Sequence, residues 1–236
     1  MIDFIKKIIP EKHHQNKFIL NINERIRDIY KNSSYSQEGE DMILKRIFEI
    51  QKTGFYIDIG AHHPKRFSNT YIFYKTGWRG INIDAMPGSL KMFNKHRKKD
   101  INIEAVIFDK KSEINYFSFK ESALNTINSQ LGEERKQKYE LLKVYKIYTK
   151  TLAEILNEYL PENKKIDFLT IDVEGADFEV LKSNDWKKYQ PKIVLIEIRN
   201  KNLNDIPENP ISLFLTNLGY EIFAKTVNTV FFKLDK

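Results

Sequence analysis

Residues 54–64 read GFYIDIGAHHP, and the fold turns on this stretch. Phe55, Tyr56, Ile57 and Ile59 have the aromatic and β-branched character of a strand buried on both faces. Asp58 stands near the carboxyl end of that strand. Gly60 permits a tight turn and lets a ligand approach where a Cβ would intrude. In open parallel sheets, ligands bind in the crevice beyond the carboxyl ends of the strands. The stretch therefore predicts the first strand and first loop of such a sheet.

The same ending recurs along the chain. INID closes on Asp84, INIE on Glu104, DFLTID on Asp172 and KIVLIE on Glu197. With Asp58, these are five predicted strands that each carry an acid at or near the carboxyl end. A parallel sheet gathers them along one rim. On a chain of formal charge +7, that rim is a local acidic crevice suited to a cation, a ribose diol or a metal.

A length of 236 residues predicts one domain with a sizeable core. The absence of cysteine excludes disulfides, thiolate metal sites and cysteine nucleophiles. No apolar run approaches a membrane span, and MIDFIKKIIPEKHH lacks the apolar core of a secretory signal. Cytoplasmic is the plain expectation. The basic balance raises the question of nucleic acid, but the lysines are spread along the chain, which argues against it. Residues 1–35 read as a helical extension. Its IDFIKKII segment is a short basic amphipathic helix ended by Pro10, packed on the domain, resting weakly on a membrane surface, or touching another subunit.

From residue 36 the chain reads as a single domain. SQEGEDMILKRIFEI is a helix with Ile43, Leu44, Ile47 and Phe48 on its apolar face. After the first strand, Ser68 or Asn69 caps a helix whose early amides point at the crevice. Pro87 opens the helix PGSLKMFNKHRKK, and INIEAVIF is a further strand. Residues 120–150 are polar and helix-prone in the middle, which fits either a lid inserted over the site or a surface helix. Thr151 and Glu154 have capping-box spacing at the head of TLAEILNEYL. YEIFAK and TVFFKL make a terminal antiparallel pair. Strands alternating with helices give an α/β sandwich.

In order, SQEGED, GFYIDIGAHHPKRFSNTY, GWRGINIDAMP and LTIDVEGAD resemble the FkbM family of S-adenosylmethionine-dependent methyltransferases, over roughly residues 36–198. The resemblance implies the class I, Rossmann-like methyltransferase fold. Its sheet is seven-stranded, mostly parallel, and ends in an antiparallel hairpin. The resemblance also implies O-methylation of hydroxyl groups on sugars or polyketide-type natural products, often in surface polysaccharide biosynthesis, and a sugar or nucleotide-linked sugar is the expected acceptor. Asp58, Gly60 and Ala61 would line the methionine part of the cofactor, and Asp84 would hold the ribose hydroxyls. Glu104 would lie near the adenine amine. Ser68 and Asn69, at the helix start, are further candidates for contact with the cofactor, and Gln37 and Glu40 from SQEGED are candidates for contact with cofactor or substrate.

Methyl transfer to a hydroxyl needs alignment and removal of a proton. Asp172, Glu174 and Glu197 are the acids best placed for this. One reading makes Glu174 or His62 the base. Another makes Asp172 and Glu197, completed by Glu174, ligands of magnesium or manganese. Arg66 and Arg199 follow strands towards the rim and suit an anionic acceptor. Two other classes stay open. A nucleotide-sugar oxidoreductase would share the second-strand acid, but no G-x-G-x-x-G follows the first strand. A non-catalytic cofactor-binding protein is the other.

Overall fold

The structure, a computed structural model, describes residues 31–199 and 202–235. The expectation of a helix ended by Pro10 lies outside the described residues.

β1 (Phe55–Ile59) lies in the middle of the sheet, paired in parallel with β2 (Arg79–Asp84) on one side and β7 (Phe168–Ile171) on the other. β3 (Ile101–Glu104) extends the sheet beyond β2, and β8 (Ile193–Glu197) extends it beyond β7, both in parallel. β9 (Tyr220–Lys225) and β10 (Thr229–Leu234) complete the edge as an antiparallel pair. The order is β3-β2-β1-β7-β8-β10-β9, the seven-stranded class I arrangement expected from the resemblance.

The two-residue period of the strands sorts their side chains into two cores. Phe55, Ile57 and Ile59 join Ile83, Ile171 and Ile196 on one face. Tyr56 joins Phe168, Leu195 and Phe231 on the other. α1 (Glu40–Ile47) and α2 (Tyr71–Lys75) cover this second face through Leu44 and Phe73. α5 (Leu152–Tyr159), α6 (Asp177–Lys182) and α7 (Pro210–Thr216) cover the first through Ile155, Val180 and Leu215. α3 (Leu90–His96) leads into β3.

Three expectations need correction. The helix expected from Pro87 starts at Leu90, because Gly88 adopts φ 85° and breaks the first turn. INIEAVIF is not one strand. It breaks at Ala105, and β4 (Val106–Ile107) leaves the main sheet to pair with Thr149 and Lys150. Residues 141–150 are also not helical or irregular. They form β6 (Leu141–Lys150), antiparallel to β5 (Glu113–Phe119), with α4 (Ser129–Lys136) between them. Most of β6 is exposed, so its apolar residues do not alternate cleanly with polar ones and the strand period is blurred.

The capping box at α5 is present as spaced. The Thr151 hydroxyl accepts from the Glu154 amide at 3.2 Å, and the Glu154 carboxylate accepts from the Thr151 amide at 3.0 Å. Thr151→Ala should therefore lower the unfolding free energy by about 1 kcal/mol in urea titration, with no change in the slope. An unchanged midpoint would remove the cap from the stability of α5.

Candidate active site

The turn after β1 is shaped by a close approach. Gly60 has φ 80°, and a Cβ there would lie 1.8 Å from the carbonyl oxygen of Asp172. The amides of Gly60 and Ala61 donate to the Ile83 carbonyl at 2.9 and 3.1 Å, so the turn lies against the end of β2. Above it opens a cleft of about 870 Å³, partly open to solvent. Gly60, Ile83, Asp84, Ala85 and Met86 form one wall, and Ala105, Val106 and Ile107 continue it.

The rim acids do not share one fate. Asp84 lines the cleft, and its two oxygens accept from the amides of His62 (2.7 Å) and Met86 (2.8 Å). Burial pushes its carboxyl up, and the two amides oppose this. Asp58 is not among the residues lining the cleft. It shares the face of Tyr56, where its Oδ2 accepts from the Thr70 hydroxyl at 2.6 Å. Glu104 is exposed, accepts from the Gly88 amide at 2.8 Å, and is likewise not in the cleft wall. Asp172 lines the cleft at its foot.

His62, with φ 52°, is in the cleft wall with its ring stacked on Phe67. Burial lowers its pKa, so the imidazole is neutral at neutral pH. His63 serves the backbone instead, its Nδ1 accepting from the amides of Lys65 and Arg66. Ser68 is buried and accepts from the Tyr71 amide at 3.1 Å, but the N-cap position of α2 is Thr70, not Ser68 or Asn69, because the helix starts only at Tyr71.

The Methyltransferase FkbM domain matches residues 58–222. The chain belongs to the FkbM methyltransferase family. None of the curated proteins matches it. Among solved structures, it is similar to a TehB-like SAM-dependent methyltransferase from Corynebacterium glutamicum at 11% identity, covering 91% of this chain and 97% of that one, with a TM-score of 0.40. It is also similar to the glycopeptide N-methyltransferase MtfA complexed with sinefungin, at 8% identity and TM-score 0.40, covering 89% of this chain and 91% of that one. Likenesses of that size say nothing about activity.

In this FkbM methyltransferase a second pocket, about 400 Å³, adjoins the cleft. Gln37, Phe67 and Asp172 line both. Glu38, Glu40, Asn69, Glu197 and Asn228 line the second alone. Two of these acids are already engaged. Glu38 accepts from the Asn228 amide (2.8 Å) and the Thr226 hydroxyl (2.7 Å), and Glu40 from the Glu38 amide (2.8 Å) and the Thr229 hydroxyl (3.2 Å). Asn69 donates to the Thr170 hydroxyl at 3.0 Å.

The metal expectation meets a different cation. Arg199 places Nε 2.6 Å from Glu197 Oε2 and Nη2 2.8 Å from Glu174 Oε2, and Arg135 approaches the same Glu174 oxygen at 2.6 Å. Crowded carboxylates need a cation, and guanidinium groups supply it here. Among the described residues, no group of three or more His, Asp or Glu is arranged to hold a metal ion. The same ion pairs correct the anion-site expectation for Arg199. Arg66 lies 3.8 Å from Glu121 and over the ring of Phe67. The turn itself is held by Asp177, whose oxygens accept from the Val173 and Gly175 amides, both at 3.1 Å.

Sequence reasoning missed several groups. Tyr116, Asn125 and Thr126 close the cleft from the β5–β6 segment, and Thr126 donates to the Glu174 carbonyl at 2.7 Å. Arg97 is fully buried behind the loop after β1. Nothing in KHRKK separates Arg97 from its exposed neighbours, so no sequence signal marked it.

Burial raises Asp58 to about 6 and Asp177 to about 7. Both bind protons more tightly folded than unfolded. Their contribution to stability is full below about pH 4, the unfolded carboxylate range, and is lost as pH rises through those values. Unfolding free energy should then fall between about pH 4 and pH 7. Asp58→Asn should remove its share, on the order of 3 kcal/mol. A variant whose pH dependence matches the parent would show that Asp58 is not buried as ionisable acid.

Proposed function

We propose that this methyltransferase uses S-adenosylmethionine to methylate a sugar hydroxyl, with Asp172 as the base. It acts as one domain over residues 36–236, preceded by the 1–35 extension. Support for the cofactor comes from the chemistry of the cleft. The Cβ-free turn at Gly60 leaves room above the strand ends, Asp84 offers a carboxylate to a diol, and Met86, Ala105, Val106 and Ile107 offer apolar surface to a flat ring. Bound there, S-adenosylmethionine would supply an activated methyl group on a sulfonium. Asp84 and the Gly60–Ala61 turn would hold it.

The observation that carries the choice of base is the freedom of Asp172. Among the described residues its carboxylate makes no hydrogen bond or ion pair, and it alone of the acids lines both cleft and second pocket. Asp172 is open to solvent at the cleft, yet desolvation by the surrounding protein and the like charges of Glu197, Asp177 and Glu174 raise its carboxyl above the usual carboxylate range, which suits proton abstraction. Glu174 is committed to two guanidinium groups and serves as their anchor. The second pocket supplies carboxylates, amides and hydroxyls, partners for a polyhydroxyl acceptor. A nucleotide carrier would extend beyond it, since the nearest arginines are paired with acids. A place in surface polysaccharide biosynthesis and a cytoplasmic location accord with this reading. The described helices include none long and apolar enough to cross a membrane.

Asp84→Ala should weaken S-adenosylhomocysteine binding by about 1.5–3 kcal/mol in calorimetry. Unchanged affinity in a folded variant would take Asp84 out of the site. On a panel of free and nucleotide-linked sugars, turnover should appear as the mass gain of one methyl group. Asp172→Asn should lower kcat by about 100- to 10,000-fold with cofactor affinity kept, while Glu174→Gln and His62→Gln cost less. If His62→Gln is the more damaging, the imidazole is the base. Excess EDTA should leave turnover intact, and loss restored by magnesium would reinstate the metal.

A further inference from the structure

Behind the loop that follows β1 lies a charged network that the transfer does not use. Arg97 and Asp100 form an ion pair with side chains 0% exposed, Nε to Oδ2 at 2.8 Å. The same guanidinium donates to the Tyr56 hydroxyl (2.7 Å), the Thr70 hydroxyl (3.0 Å), Asn82 Oδ1 (3.3 Å) and the Pro64 carbonyl (3.1 Å). The Thr70 hydroxyl in turn donates a hydrogen bond to Asp58 Oδ2 at 2.6 Å. One rigid fork thus grips β1, β2, the middle of the loop and its far end.

For stability alone, a well-packed apolar group would serve as well as a buried ion pair or better. A guanidinium is useful where several oxygens must be held at fixed directions. This loop has that need. His62 and Phe67 both adopt left-handed backbone, φ 52° and 56°, which side-chain-bearing residues avoid unless the surroundings impose it. The strained amide of His62 is also the group that donates to Asp84 Oδ2 at 2.7 Å. The loop path therefore orients the acid assigned to the ribose.

We propose that Arg97 and Thr70 are positioning residues for the cofactor: they hold the 60–70 loop so that the His62 amide orients Asp84. Neither is among the residues lining the cleft, and no hydrogen bond among the described residues joins either to Asp84. Their effect must travel through the loop. The inference rests on the cofactor reading above.

The test is a double-mutant cycle on S-adenosylhomocysteine affinity. Thr70→Val should weaken binding about tenfold, and Thr70→Ser, which keeps the hydroxyl, should restore it. In an Asp84→Ala background the same Thr70→Val change should cost much less, because the acid it orients is gone. Equal losses in both backgrounds, or no loss in either, would overturn the proposal and leave Thr70 a purely structural residue. Amide hydrogen exchange by mass spectrometry provides a ligand-free check. Peptides covering 60–70 should exchange faster in Thr70→Val and Arg97→Lys, with β1 and β2 still protected. Unchanged loop exchange would overturn the positioning. If the parent protein fails to bind S-adenosylhomocysteine while the loop still loosens, the cofactor reading is what fails.

Discussion

The site depends on one close approach, the passage of the backbone at Gly60 over the Asp172 carbonyl, where a Cβ would meet oxygen at 1.8 Å. β1 and β7 are hydrogen-bonded neighbours, so their carboxyl ends lie side by side. The chain leaving β1 must cross towards β2 without colliding with the chain leaving β7. A glycine at φ 80° allows it to do so, and its amide then reaches the Ile83 carbonyl. Three strand ends are thereby brought within one turn of backbone, and the cleft opens above them.

That crossing has an electrostatic consequence. It brings Asp84, Asp172, Glu174 and Glu197 to one end of the sheet. Each solves the problem of its charge differently. Asp84 takes two amides, and Glu174 and Glu197 share Arg199. Asp172 is left with no partner among the described residues, facing both cavities. The asymmetry among acids of similar sequence context is what gives the site a direction.

The β5–β6 segment adds the other wall. Its Thr126 hydroxyl, Asn128 amide and Arg135 guanidinium all bind the turn at Glu174 and Gly175, so the cap is tied to the same residues that surround Asp172. Gly132 lies against the ring of Phe117, where a Cβ would come within 2.6 Å. The segment is thus packed closely against its own ribbon as well as fastened to the strand ends. It closes the cleft with Tyr116 and Asn125.

Much of this was legible from residue types alone. Apolar runs ending in an acid marked all five parallel strands, and Thr151 with Glu154 marked a cap that forms as spaced. Such features are local: backbone preference and side-chain period act within a few residues. The period of two also separates Asp58 from Ile57 and Ile59, but only the packed sheet shows that its face belongs to Thr70 and Arg97 and not to the cleft. The exposed ribbon of β6 was hidden because a strand without a buried face has no strong alternation to read. Charge pairing was hidden for a different reason. Arg199 meets Glu174 across 25 positions, Arg135 meets it across 39, and Arg97 reaches Pro64 across 33. Partners so far apart are chosen by tertiary geometry, because every acid and every arginine in the chain attracts in the same way until the fold decides which are near.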